Sequence, residues 1–148
     1  MKRSLFRIAA VCIGVSLALA LVDRISVSAV QGWDPNAFAN QDTLQFLTVE
    51  PGEGEHWSTV WVAVVDGQLY VRLGDRAAGR IERNTTSPFV KVKIAEQQFD
   101  HVKVEPVPDM ADKVAAVMAQ KYWFDKIVRH MSHPLTARLT AEESVPSH

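Results

Sequence analysis

Thr59–Leu73 reads T-V-W-V-A-V-V-D-G-Q-L-Y-V-R-L, and this stretch decides the fold. Residues 59–65 are almost wholly apolar and β-branched or aromatic. Asp66-Gly67 follows, a dipeptide suited to a type I′ hairpin turn, where both central residues need positive φ. Residues 68–73 then alternate, with Leu69, Val71 and Leu73 on one face and Gln68, Tyr70 and Arg72 on the other. A strand apolar on both faces is central in a sheet, and its alternating partner keeps one face in the core and one open. The hairpin therefore predicts a β-barrel or sandwich built outward from it.

The flanking sequence extends this sheet. Residues 43–49, T-L-Q-F-L-T-V, predict a first strand with Leu44 and Phe46 or Leu47 inward, and residues 51–55, P-G-E-G-E, a turn or loop with local negative charge. Residues 30–42 carry two turn-forming clusters and read as a linker settling onto the domain, with Trp33 and Phe38 as packing anchors. Past the hairpin the alternation stops, and Arg76, Arg80 and Arg83 recur at spacings of four and three. One or two helical turns over residues 77–83 would bring them to one side. Residues 89–104 predict a second hairpin. Val90, Val92 and Ile94 alternate with Lys91 and Lys93, Ala95-Glu96 lies near the turn, and the opposite parity of Phe99 and Val102 asks for a bulge.

Asp109 reads as the N-cap of a helix starting near Met110. Val114, Val117 and Met118, then Phe124, Ile127, Val128 and Met131, keep the i, i+3, i+4 spacing of one long amphipathic helix or two broken near Tyr122-Trp123. Pro134 stops it, residues 135–140 predict a last strand, and the tail beyond 141 frays.

Composition limits function. Lys2, Arg3 and Arg7 are the only charges before Asp23, so of 16 basic and 17 acidic residues the remainder holds 13 basic and 17 acidic. A mildly acidic domain is no general nucleic-acid binder. The three N-terminal charges precede an uncharged run over residues 8–22. The run suits a signal peptide and is short for a spanning helix of about 20 residues. Val27-Ser28-Ala29 offers a cleavage site, and Asp23-Arg24 argues for an uncleaved anchor. Residues 1–29 thus read as signal peptide or membrane anchor. Either places the domain in the periplasm, outside the cell or at the outer side of a membrane that it touches only through this segment; the third reading is a cytoplasmic chain. The single cysteine, Cys12, falls in that run, which leaves the domain without disulfide, thiol nucleophile or thiolate ligand. No Ser/His/Asp arrangement, phosphate-binding glycine loop or paired carboxylates can be drawn, and the catalytic residues stay unknown. His130 and His133 share a helix face but lack a third ligand, and no metal is assigned. Asn84-Thr85-Thr86 is a glycosylation sequon by pattern alone.

Several motifs carry a family resemblance: W-V-A-V-V-D-G-Q-L-Y-V-R (61–72), G-R-I-E-R-N (79–84), K-Y (Lys121, Tyr122) and A-R-L (137–139). Over roughly residues 59–140 the chain resembles a small uncharacterised bacterial family. That family is related to the split-barrel flavin-binding proteins, among them pyridoxamine 5′-phosphate oxidase and the deazaflavin-dependent nitroreductases. The resemblance implies a mainly β, α+β domain over residues 43–141. Its core is a split-barrel-like antiparallel sheet of about six strands with a C-terminal helix or helix pair across it. It also implies a homodimer, and a flavin mononucleotide or deazaflavin whose phosphate is held at a strand end and the following short helix. Arg72, Arg76, Arg80, Arg83 and Asn84 fall in that stretch, and guanidinium forks suit a phosphate or another small anion. Tyr70 and Arg72, on the polar face, would line the pocket. Trp57, Trp61, Tyr70, Tyr122 and Trp123 offer stacking surfaces for a planar ligand, or core and dimer contacts. Ile81-Glu82 stand where relatives carry an aromatic, and Trp123 where they carry glycine. Two functions follow: a flavin-type oxidoreductase or cofactor carrier, and a cofactor-free binding or interaction domain outside the cytoplasm.

Overall fold

A computed structural model of the chain describes residues 30, 32–122 and 133–143. Residues 1–29, read above as signal peptide or anchor, together with Trp123, the apolar positions from Phe124 to Met131, His130 and the extreme tail, lie outside them. In chain order the strands are β1 (Thr43–Glu50), β2 (Gly54–Val65), β3 (Gln68–Leu73), β4 (Phe89–Ile94), β5 (Gln97–Pro106) and β6 (Leu135–Ala141); helix α1 (Asp75–Glu82) follows β3 and helix α2 (Ala111–Lys121) precedes β6. The six strands close into an antiparallel barrel in the order β1-β2-β3-β6-β5-β4. The mainly β barrel with a C-terminal helix matches the split-barrel expectation.

The expected turns form where expected. Asp66 and Gly67 take φ of 49° and 73°, and Ala95 and Glu96 take 49° and 62°. The bulge lies where parity broke: Val90 pairs with Val102 and Val92 with Phe99, so Asp100 and His101 together oppose Lys91. β2 starts earlier than its apolar run. Glu50 pairs with Gly54 and Leu47 with Trp57, so the Pro-Gly-Glu-Gly stretch is a tight turn inside a hairpin, not a long loop. Gly52 and Gly54 make that turn possible at φ of 79° and 75°.

β2 is apolar on both faces because it serves two cores. Val60 and Val62 face the barrel interior with Leu44, Phe46, Leu69, Val71 and Val92; Ala63 and Val65 face outward beneath α2, with Tyr70, Val114, Met118 and Tyr122. Full burial of Val114 and Met118 contributes about 1.5–3 kcal/mol for each side chain. α2 begins near Met110 as expected, but Asp109 does not cap it. Pro108–Met110 forms a 3-10 turn, and Met110 sits at the N-cap without a side-chain cap bond. The Met110 amide donates to Val107 O at 3.0 Å, which uses the turn that Asp109 would have capped.

Each end of the barrel is closed. At one, Asp34 caps the 3-10 helix Pro35–Phe38, and Phe38 enters the core edge-on to Trp33 and Phe99, with ring centroids 5.7 and 6.1 Å apart. At the other, α1 lies across the mouth with Ala78 buried and Ala77 and Ile81 packed on the interior cluster. The chemistry gathers at this second end.

Candidate functional site

On β1 the inward positions run Leu44, Phe46, Thr48, Glu50, and the last puts a carboxylate at the rim of an apolar barrel with 3% exposure. Charge in that place requires a partner. α1 provides two. Its first turn carries Asp75 and its last Arg80, each at the end of the helix dipole it favours. Arg80 and Arg83, three residues apart, reach the same carboxylate. Arg80 Nη1 donates to Glu50 Oε1 at 2.5 Å and Arg83 Nε to Glu50 Oε2 at 2.8 Å. Glu53 Oε2 stands 3.8 Å from Arg80 Nη1, so two guanidinium groups face two carboxylates. The Arg83 hydrogen bond, then that of Arg80, hold the Glu50 carboxyl below its ordinary value against the opposing effect of burial.

Gly79 makes room for this arrangement. A Cβ there would come within 3.1 Å of Arg83 Nη1. A glycine inside a helix costs about 1 kcal/mol relative to alanine, and here it leaves space for a guanidinium folded back along the helix.

Asn84 is a fastener. Its Oδ1 accepts from the Val49 amide at 3.0 Å and from Thr86 Oγ1 at 3.0 Å, and its Nδ2 donates to Phe89 O at 2.9 Å. At 6% exposure it ties the end of β1 to the loop before β4. Tyr70 does not line an open face. It is 4% exposed beneath α2, because α2 lies over the outer side of β2 and β3. Arg72, half-buried on that side, pairs in register with Thr136, and Arg76 is exposed on α1. The structure thus brings Arg80, Arg83 and Asn84 together at the end of β1 and sets Tyr70, Arg72 and Arg76 apart from them. Neither Arg72 nor Arg76 forms an ion pair among the described residues.

The K-Y motif has a structural task. Tyr122 leaves the helix in an extended conformation and its hydroxyl lies 2.6 Å from Asp42 O and 2.7 Å from Val62 O. Lys121 Nζ donates to Gln41 O and Val62 O. Burial pushes the Tyr122 phenol up to about 12 and lowers the Lys121 ammonium. Tyr122 also stacks on Trp61, centroids 5.4 Å apart. α2 is thereby pinned to the start of β1 and the middle of β2.

The outer face of β2, β1 and β4 has a different character. Trp57 is half-buried with Lys93 Nζ 4.0 Å from its ring centroid. Leu47 lies between Trp57 and Lys91 in register. Beside them a groove of about 390 Å³ runs past Leu47, Val49, Phe89 and His101, the last two stacked with ring centroids 3.7 Å apart.

Glu50 is the functional residue that the sequence reading missed. The signal was its parity: an acid at the fourth inward position of a strand demands a cation from elsewhere in the fold.

No family profile and no curated protein matches this sequence. Solved structures do match in three dimensions. HutZ, the heme storage protein from Vibrio cholerae, shares 19% identity at a TM-score of 0.56 over 74% of this chain and 88% of its own. A conserved hypothetical protein from Mycobacterium tuberculosis shares 18% at 0.52, over 72% and 78%. A domain-swapped dimer shares 7% at 0.52, over 68% and 80%. The likeness is one of fold, and the chain has the split-barrel architecture that its motifs indicated.

Proposed function

We propose that this chain is a cofactor-free split-barrel binding domain, exported or anchored through residues 1–29, that pairs as a homodimer through the outer face of β2, β1 and β4. One observation carries it: Arg80 and Arg83, the best-placed phosphate ligands in the sequence, are both tied to the buried carboxylate of Glu50. Asn84 is engaged by the Val49 amide, Thr86 Oγ1 and Phe89 O, and Tyr70 is covered by α2. The half-buried Trp57, with Leu47 buried beneath it and Lys91 and Lys93 flanking, gives the outer face an aromatic centre with a charged rim of the kind interfaces use. That one structural neighbour is a domain-swapped dimer supports pairing in this fold.

Light scattering on residues 30–148 tests it. The expected mass is that of a dimer, and Trp57→Asp, which places a charge at the centre of the face, shifts it to monomer. A monomer mass for the wild type across a broad concentration range would remove the reading.

A second reading rests on Arg72 and Arg76, which flank the start of α1 without ion-pair partners among the described residues. In it the phosphate of a flavin or deazaflavin sits at these two arginines. Arg72→Ala and Arg76→Ala then each weaken flavin mononucleotide binding by about 1.5–3 kcal/mol, the usual worth of a charge-assisted hydrogen bond.

A further inference from the structure

We infer that Arg80 and Arg83 form an anion receptor that the chain fills with its own Glu50 carboxylate, and that a phosphate or small carboxylate from solution takes this seat once Glu50 is removed from it. The inference rests on the reading that these arginines are tied to Glu50, and it adds what the pair would otherwise bind.

Geometry supports the receptor. Two guanidinium groups from one helix end converge on the two oxygens of a single carboxylate, at 2.5 and 2.8 Å. Forked N–H donors serve phosphate oxygens as well as carboxylate oxygens. Both arginines come from the end of α1, where Gly79 leaves room for the Arg83 guanidinium, while the glutamate is supplied from 30 and 33 residues away on β1. The seat can be reached: the Glu50 side chain is 2% exposed and that of Arg80 17%, but that of Arg83 is 58% exposed and forms the open side. Glu50 is also the last residue of β1, next to a glycine turn, so the internal anion arrives on a strand end and not on a rigid helix. Glu53, 66% exposed and 3.8 Å from Arg80, faces the same seat and opposes a second anion, an effect that water and salt weaken.

Glu50→Ala vacates the seat, and Glu50→Gln keeps its shape without its charge. Melting curves of both variants and wild type are compared in sodium phosphate, sodium acetate and sodium chloride at equal ionic strength. Phosphate and acetate should raise the melting temperature of Glu50→Ala saturably, by about 5 °C at ten times the half-saturating concentration. Wild type should melt alike in all three salts. Adding Arg83→Ala to Glu50→Ala should weaken the effect at least about tenfold, the loss of one charge-assisted bond. Adding Glu53→Gln should strengthen it. Where Glu50→Ala does not fold in chloride, circular dichroism should show it folding in phosphate, and Glu50→Gln should gain calorimetrically detectable phosphate binding that wild type lacks. Identical behaviour of both variants in phosphate and chloride overturns the inference. Flavin binding by wild type that Arg80→Ala and Arg83→Ala leave unchanged would count against the cofactor-free reading alone, whereas flavin binding that either variant weakens would overturn this inference too.

Discussion

At Tyr122 one hydroxyl proton faces two main-chain carbonyls, those of Asp42 and Val62. The phenol is pushed up to about 12, first by burial, so the folded state holds its proton more tightly than the unfolded state, whose value is near 10. The stability it contributes is complete below pH 10 and is lost as pH rises from there toward 12. Absorbance near 295 nm should show a late tyrosinate step around pH 12, absent in Tyr122→Phe; a single step near 10 in the folded protein would contradict the placement. Tyr122→Phe should also cost about 1 kcal/mol in denaturant melts, because the buried hydroxyl's hydrogen bonding to Asp42 O and Val62 O is lost. Thr48 makes the opposite case. It is fully buried, and its hydroxyl has no partner among the described residues. Thr48→Val keeps the shape and should stabilise by about 1 kcal/mol, read as a higher denaturant midpoint. Destabilisation of that size would mean that the hydroxyl is bonded after all.

Among the elements, α1 and the end of β1 behave as one unit. The Glu50 carboxyl lies below its unfolded value of 4.5, so its contribution is complete above that pH and falls away as pH drops through the folded value. Glu50→Gln should lower the melting temperature at pH 7 and flatten the dependence of stability on pH below 4.5. An unchanged acid profile would detach Glu50 from the clamp. Both hairpins, the short arginine helix, the bulge and the last strand were legible, because Asp-Gly, alternation and broken parity are local signals. The early start of β2 was hidden by a glycine-rich turn that reads as loop. The start of α2 near Met110 was legible, but its cap was misassigned to Asp109 because a 3-10 turn precedes the helix. The arginine cluster was visible but its partner was not: Glu50 and Arg80 are 30 residues apart, and only closure of the barrel mouth joins them. Tyr70 looked open because alternation shows that a face exists, not which helix will lie on it.

For the molecule as a whole, β6 enters between β3 and β5, a long-range pairing that no local pattern discloses. It closes the barrel, leaves α2 over β2 and β3, and leaves the Trp57 face as the broad outer surface without a helix among the described elements. The inner and helix-covered faces hold the fold, and the remaining face is the one assigned to pairing in the proposed function. Its central claim is that the arginines at the barrel mouth serve Glu50 and not a flavin phosphate. Calorimetric titration of the wild-type protein with flavin mononucleotide and with a deazaflavin tests it most directly. No saturable heat is expected with either. Saturable binding that Arg80→Ala or Arg83→Ala weakens about tenfold or more, as loss of a charge-assisted phosphate bond would, contradicts it.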